Sequence, residues 1–579
     1  MAKNWEQTFE KWLAFENLDS NLQAELKDLK NDPKETEDAF YQELTFGTGG
    51  IRGVLGPGTN RMNIYTVRKA VNGLANYLLE HVVNAKQRGV AIAYDSRYMS
   101  QEFAVEAAKV LGAYGIRASV FTSIRPTPVL SYAVRYLNAA AGIMITASHN
   151  PPQYNGLKVY NEQGGQILLE EAEQITAAIQ ATGDELQVPV RDKKELEDEL
   201  LLYWLGEEVD RSYLENLIGM TKMGQEELER EKDLKIIYTP LHGTGTDLVA
   251  RGFKQLNFPN VTIVEEQAVA DPEFSTVESP NPEEHQAFKL AIQYGEKENA
   301  DVLLATDPDA DRLGAAVKNK AGEYVVLTGN QLGSLLLDYI LSHSNLNVYR
   351  NARMIKTVVT TELGRAIADS YGVETIETLT GFKYIAEKIA GFDSTGETFM
   401  FGYEESYGYL ASGFTRDKDA VQAAMLTAEM AHYWKSQGKS VLEALHSLYE
   451  KHGYYLEGLN SLTLEGKEGS EQIAKIMEEI RHRPMEEVAG IRVEKVENYV
   501  TSERTDTATG TTETINLPQE NMMKFILEED GWVCFRPSGT EPKLKYYYGV
   551  RDKSEEASTK KLEMIQIALD EILAEIIKK

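Results

Sequence analysis

Ser148 stands in MITASHNPPQYNGLKVY, after the apolar run 142–145 and before Pro151-Pro152, with His149, Asn150, Asn155 and Lys158 close by. The run is short, β-prone and uncharged, so it reads as a buried strand. Pro151-Pro152 and Asn155-Gly156 then forbid helix and predict turns. Ser148 is thus displayed at a strand's end, where its hydroxyl can act as a nucleophile. A serine in a loop ordinarily does no more than cap a turn; two further segments give this one chemistry.

In ADVLLATDPDADRLGAAV, Asp307, Asp309 and Asp311 alternate directly after the apolar run 302–304. Three carboxylates at this spacing repel unless a cation sits among them. Pro308 disfavours helix, so in a turning loop the three side chains can converge as hard oxygen ligands for a divalent cation. An EF-hand would need Gly at the sixth position and Glu at the twelfth, where this chain has Arg312 and Lys318, which argues against calcium by that route. Three protein oxygens leave a Mg²⁺ site half open, as when a phosphate supplies a further bond; Mn²⁺ is also hard enough for them. The other segment is VCFRPSGTEPKLKYYYGV, where a strand at 532–535 delivers Arg536, Ser538, Gly539 and Thr540 into a turn. A planar guanidinium fork, two hydroxyls and a glycine that lets backbone N–H groups approach suit a phosphate.

Serine, acidic triplet and distal phosphate loop, in this order, resemble the α-D-phosphohexomutase superfamily. The resemblance runs from FGTGGIRG (46–53) to RPSGTEPK (536–543) and includes FGYEESYGY (401–409), which looks like that family's sugar-binding loop. Length, an N-terminal helix ahead of FGTGG and the form DPDADR look most like bacterial members of the phosphoglucomutase/phosphopentomutase branch. The resemblance implies three similar mixed α/β sandwich domains followed by an antiparallel α+β domain, around a central cleft. It implies an intramolecular phosphotransferase interconverting α-D-glucose 1-phosphate and glucose 6-phosphate through a phosphoserine and a glucose 1,6-bisphosphate intermediate. Phosphopentomutase and phosphomannomutase chemistry are the near alternatives, and a non-catalytic sugar-phosphate-binding protein the distant one. Ser148 would carry the phosphate, with a phosphoryl oxygen joining Asp307, Asp309 and Asp311 on Mg²⁺ and Arg312 neutralising charge. Lys158 is the expected base, its pKa lowered by desolvation beside Arg52, and His149 is either the rival base or an orienting group. Thr380, Gly381 and Lys383, Glu404 and Ser406, and Lys418 would face the hexose phosphate, whose own phosphate docks at Arg536, Ser538, Gly539 and Thr540.

The 579 residues suggest about four domains, placed at 1–205, 206–320, 321–455 and 456–579, with strands and helices alternating in the first three. Strands are expected at 90–94, 116–121, 142–145, 261–265, 302–304, 354–359, 490–496, 523–527, 532–535 and 543–549, a helix at 103–112, and charge-rich helices through 192–232. Asp530-Gly531 signals a hairpin, His242 in PLHGTG reads as a histidine satisfying loop carbonyls, and the Thr-rich stretch 501–514 as a flexible loop. The apolar stripe of the closing helix, Leu562, Ile565, Leu569, Ile572 and Ile576, suits docking on the last sheet.

Hydrophobic content of 42% and charged content of 26% are those of a globular protein. Sixty basic against ninety acidic residues give a formal charge of −30, which argues against nucleic acid or an anionic membrane as partner. An anionic substrate then needs a local positive cleft, for which Arg52, Arg97, Lys158, Arg312, Lys383, Lys418, Arg536 and Lys543 lie in or beside the motif loops. One cysteine, Cys534, excludes an intrachain disulfide. The first residues form an amphipathic helix rather than a signal peptide, and no apolar run approaches a membrane span, so a cytoplasmic monomer or homodimer is expected. In GTGGIR the sixth position is Arg52, GTGTDL ends at Leu248, and no Walker motif occurs, so neither a dinucleotide nor an ATP P-loop is supported.

Overall fold

Val90–Tyr94 and Ala141–Ile145 are buried at every position, the pattern of strands covered on both faces. The structure, a computed structural model, describes residues 5–47, 49–349, 351–464, 466–538 and 543–578. The first sheet contains β1 (Gly50–Val54), β2 (Val90–Tyr94), β3 (Ala118–Phe121), β4 (Ala141–Ile145), β5 (Tyr154–Tyr160) and β6 (Leu202–Leu205), in the order β1-β5-β4-β2-β3-β6. β2 runs parallel to β3 and β4, and β3 to β6, whereas β5 runs antiparallel to β4 and β1. Helices Ile64–His81, Ser100–Ala113 and Leu169–Ala181 bury Leu74, Phe103 and Ile175 in one core with Ile92 and Ile143 of the strands.

The second sheet, β7 (Ile236–Thr239), β8 (Val261–Ile263), β9 (Val302–Thr306), β10 (Leu313–Lys318) and β11 (Tyr324–Val326), has the order β11-β10-β9-β7-β8. β7 is parallel to β8 and β9, and β9 turns back through the acidic triplet into antiparallel β10.

The chain divides into two compact bodies, one comprising residues up to 332, 343–350 and 382–440, the other 333–342, 351–381 and 441–579. The first holds both sheets above and an antiparallel hairpin of Thr398–Glu404 with Gly408–Leu410. The second holds the parallel pair Ala352–Thr357 and Glu374–Thr378. It also holds an antiparallel sheet in which Trp532–Pro537 lies between Met523–Leu527 and Lys543–Asp552. The closing helix Glu555–Lys578 buries Ile565, Leu569 and Leu573 in that sheet's core. Among the described residues no helix is long and apolar enough to cross a membrane.

Several expectations need correction. Asn155-Gly156 is no turn but lies within β5, near its start, where Gly156 faces Arg52 of β1. The N-terminal helix is three short ones, Trp5–Leu13, Ser20–Leu29 and Pro33–Phe40. Asp19 and Asp32 cap the second and third, and Pro33 opens the third, each a helix-start signal. The charged stretch 192–232 is interrupted by β6, whose end residues Leu202 and Leu205 are buried. Strand 261–265 stops at Ile263 and a short helix begins at Glu265. The Thr-rich stretch pairs Glu503–Asp506 with Thr512–Thr514; its threonines are β-branched, and Asp506 Oδ1 accepts from the backbone N–H groups of Ala508 and Thr509 to set the turn. Arg536 lies within its strand, not in the turn after it.

Candidate active site

Beyond β4 the chain turns sharply, with Ser148 at φ +53°, in the left-handed region that a non-glycine residue enters only when its surroundings compel it. Ser148 N–H donates to Thr146 Oγ1 at 2.8 Å. The other constraint is Arg97, whose guanidinium donates to the carbonyls of Ser148 (2.6 Å), Asn150, Pro151 (2.8 Å) and Tyr154 (3.0 Å). Arg97 is 4% exposed and in turn lies 3.3 Å from Asp95. Asp95 accepts from Ser100 Oγ at 2.7 Å, and Ser100 Oγ accepts from Asn155 Nδ2 at 3.0 Å. Sequence reasoning counted Arg97 among cations available to substrate; its two terminal guanidinium nitrogens are taken by the serine loop and its Nε faces Asp95. The signal for that role was the polar triplet Asp95-Ser96-Arg97 directly after a fully buried strand.

The turn presents Ser148 Oγ to Asp307 Oδ2 at 2.9 Å, with His149 Nδ1 at 3.2 Å. Asp307, Asp309 and Asp311 are at most 2% exposed, and their nearest oxygens lie within 4.8 Å of one another. Asp307 Oδ1 accepts from the backbone N–H groups of Asp311 (3.1 Å) and Arg312 (3.0 Å), fixing the loop. From behind, Gly243 packs so closely on Pro308 that a Cβ would collide with its backbone, which explains a glycine-rich turn after β7. Oδ1 of Asp309 and Oδ1 of Asp311 are buried without a hydrogen-bond partner. Buried carboxylate oxygens left in that state are costly, and hard oxygens so grouped fit a divalent cation.

Three cations surround the triplet. Lys158 Nζ lies 2.8 Å from Asp309 and 3.5 Å from Asp311, and Lys418 Nζ lies 3.1 Å from Asp311. Arg312 pairs with Glu283 and donates to Ser406 O at 3.1 Å. Thr127 Oγ1 donates to Asp309 Oδ2 at 3.0 Å. Thr127 and Glu283 were not foreseen, because each meets its partner only through folding.

Burial and the neighbouring charges of Asp309 and Asp311 push Asp307 well above the usual carboxylate range. Burial acts the same way on Asp309, but Lys158 outweighs it and holds Asp309 well below. Burial alone would lower Lys158; Asp309 and Asp311 overcome it, and its pKa is raised rather than lowered as expected. Burial, with Arg312 and Arg52 nearby, depresses His149 well below its ordinary value, so the imidazole beside Ser148 is neutral.

Arg52 donates to Asn150 Oδ1 at 2.7 Å. Glu404 ends its strand 5% exposed, and its charge acts on both Arg312 and Lys418. The first body therefore gathers Ser148, His149, Lys158, Arg52, the triplet, Arg312, Glu404, Ser406 and Lys418. Lys383, also in this body, lies 5.2 Å over the Tyr384 ring. Thr380 and Gly381 belong to the second body, as do Arg536, which donates to Glu520 at 2.6 Å, and Ser538, whose N–H donates to Lys543 O at 2.7 Å. Gly539 and Thr540 lie outside the described residues. His242 bonds Val269 O (3.0 Å) and Thr276 Oγ1 (2.8 Å), a carbonyl and a hydroxyl rather than carbonyls alone.

Comparison with known proteins gives four consecutive domain matches. Residues 43–185, 211–322 and 328–452 match phosphoglucomutase/phosphomannomutase alpha/beta/alpha domains I, II and III, and 482–565 match the C-terminal domain of that family. The phosphoglucomutase of Staphylococcus haemolyticus (strain JCSC1435) is 41% identical over 90% of this chain and 93% of its own. That of Staphylococcus aureus (strain MRSA252) is 38% identical over 94% and 96%. Among solved structures, the open form of Paramecium parafusin, a phosphoglucomutase, superposes with TM-score 0.66 at 16% identity over 93% of this chain and 97% of that one, a likeness of fold.

Proposed function

This chain belongs to the phosphoglucomutase/phosphomannomutase family, and on that premise we infer that it is an intramolecular phosphotransferase interconverting α-D-glucose 1-phosphate and glucose 6-phosphate. The observation that carries the reading is the serine hydroxyl turned out at φ +53° and hydrogen-bonded to a buried acidic triplet.

Ser148 Oγ holds the phosphoryl group to be transferred. A substrate hydroxyl oxygen forms the new bond to phosphorus as the bond to Ser148 Oγ breaks, and the hydroxyl proton passes to a base. The resulting glucose 1,6-bisphosphate turns end over end and returns its other phosphate to Ser148. Asp307, Asp309, Asp311 and a Ser148-borne oxygen would hold Mg²⁺, which supplies Lewis-acid neutralisation of the transferring group. Arg312, tied to Glu283 and Ser406 O, adds fixed positive charge without reorganising. Lys158 enters protonated, so it serves as acid toward a leaving oxygen, and as base only after Asp309 and Asp311 are drawn off it. His149, neutral and 3.2 Å from Ser148 Oγ, orients the nucleophile. Arg52 steadies the serine loop through Asn150. Glu404, Ser406, Lys418, Lys383, Thr380 and Gly381 would contact the sugar phosphate, and Arg536, Ser538, Gly539 and Thr540 its idle phosphate. The same reading places the serine loop in a domain at 1–205, the metal loop at 206–320, the sugar loop at 321–455 and the phosphate loop at 456–579, in a cytoplasmic enzyme.

The test is a coupled assay with Mg²⁺ and a trace of glucose 1,6-bisphosphate, comparing glucose 1-phosphate, mannose 1-phosphate and ribose 1-phosphate. Turnover on glucose 1-phosphate that Ser148→Ala abolishes is expected. Preference for mannose or ribose would change the substrate and keep the mechanism; turnover that survives Ser148→Ala would overturn it.

A further inference from the structure

Phe274 is the one aromatic side chain in the mostly polar stretch DPEFSTVESP (271–280), and nothing in that stretch marks it for a role. In the structure it is 1% exposed and stands at φ +51°, a backbone region that a bulky residue enters only as an outlier. Its own loop holds it there. Asp271 accepts from the N–H groups of Glu273 at 3.0 Å and Ser275 at 2.9 Å, while Phe274 N–H donates to Asp271 O at 3.1 Å and Phe274 O accepts from Val277 N–H at 3.0 Å.

The ring so placed meets the side chain that restrains the serine turn. The Arg97 guanidinium lies over it, with Cζ 4.9 Å from the ring centre. The nitrogens of Arg97 are already committed, the terminal pair to carbonyls of residues 148–154 and Nε toward Asp95. A desolvated guanidinium is drawn to an aromatic face, so Phe274 adds a hold on this cation that uses none of its donors.

The same loop also reaches the acidic triplet. Val269 O and Thr276 Oγ1 bond the two ring nitrogens of His242, and Thr276 Oγ1 accepts from Gln267 Nε2 at 2.9 Å. His242 N–H donates to Gln267 O at 2.9 Å, and two residues on Thr244 N–H donates to Pro308 O at 2.8 Å. Pro308 stands between Asp307 and Asp309. Segment 269–277 is thereby tied to the serine turn through Phe274 and to the metal loop through His242, the two parts that must keep Ser148 Oγ 2.9 Å from Asp307.

We propose that Phe274 is a positioning residue for phosphoryl transfer: acting through Arg97, it keeps the Ser148 turn in register with the acidic triplet. Its effect on turnover rests on the phosphoserine reading above; its effect on the turn does not.

Phe274→Leu removes the ring and keeps an apolar side chain. In the coupled assay kcat should fall about tenfold with KM held within about twofold. In an Arg97→Lys background the same change should cost less than about twofold more, because the fork through which the ring acts is already gone. Backbone amides of residues 147–154 should exchange with deuterium at least about tenfold faster in Phe274→Leu, while those of β2 keep their rate. A ring-trifluorinated phenylalanine at 274 keeps the shape and withdraws the charge of the aromatic face, so it should lower kcat as leucine does, and ordinary phenylalanine inserted by the same route should restore it; this variant carries the test where Phe274→Leu fails to fold. Wild-type kcat and exchange in Phe274→Leu, an undiminished loss added on top of Arg97→Lys, or wild-type kcat with the trifluorinated ring would each overturn the role. The exchange rates need no turnover, so they decide the positioning even where activity survives Ser148→Ala and the phosphoserine reading falls.

Discussion

At the level of single residues, Arg97 gives the serine turn the rigidity that a ladder partner gives a strand, because one planar fork holds four carbonyls of residues 148–154. Lysine keeps the charge but not the fork. Arg97→Lys abandons at least one buried carbonyl, at about 1–3 kcal/mol each, and lets Ser148 drift from its attack geometry. Turnover should fall roughly 10²-fold while the circular-dichroism spectrum is kept; wild-type turnover would show that the turn holds itself. Lys158→Met should depress kcat far more than it raises KM in the coupled assay, since the group acts on the proton rather than on binding. Asp307 yields a pH prediction. Its raised pKa means the folded, ion-free chain favours the protonated carboxyl, so this contribution to stability is full at low pH and is lost as pH rises through the folded pKa. A divalent ion must displace that proton. Affinity for Mg²⁺ should therefore fall as pH is lowered through the folded pKa, with proton release detectable by calorimetry in buffers of different ionisation enthalpy; a pH-independent affinity without proton release would contradict it.

At the level of elements, Gly156 carries the junction of β5 with its neighbours. A Cβ there would lie 2.7 Å from Thr146 O and 2.8 Å from Ile51 O, both backbone atoms that cannot swing aside. Gly156→Ala should destabilise the chain by about 1–3 kcal/mol, read as a lower denaturant midpoint, and should loosen the Ser148 turn to which β5 is joined. Asn155-Gly156 also shows where local reading stops. As a dipeptide it signals a turn, yet β1 and β4 flank it and stretch it into a strand. The Thr-rich stretch erred in the same direction, since polarity suggested a loop while β-branching and pairing made a hairpin. The strands β2, β4 and β9, by contrast, were legible as apolar runs, and Ser148 and the acidic triplet were legible because each sits where such a run ends. The ionisation of Lys158 was not, for it is set by Asp309, 151 positions away in sequence. Glu283 and Thr127 escaped for the same reason: nothing in their own segments marks what they touch.

For the whole molecule, the charge of −30 opposes an anionic substrate at long range, and Lys158, Arg312 and Lys418 are already engaged with carboxylates. At about 10 mM ionic strength the screening length is roughly 30 Å, and at about 150 mM roughly 8 Å. Added salt should first remove the global repulsion, so kcat/KM should rise by a few-fold over this range; a steady fall would mean that local cations govern encounter instead. Cys534 has a different consequence. It is the chain's single thiol, fully buried between its neighbouring strands, with burial pushing its pKa up to about 12. A maleimide finds no thiolate in the closed C-terminal sheet, so native labelling is gated by the opening of that sheet. The protein thus carries its own clock for local unfolding, and one cysteine placed on its surface becomes a unique attachment point for a dye without any other residue being removed.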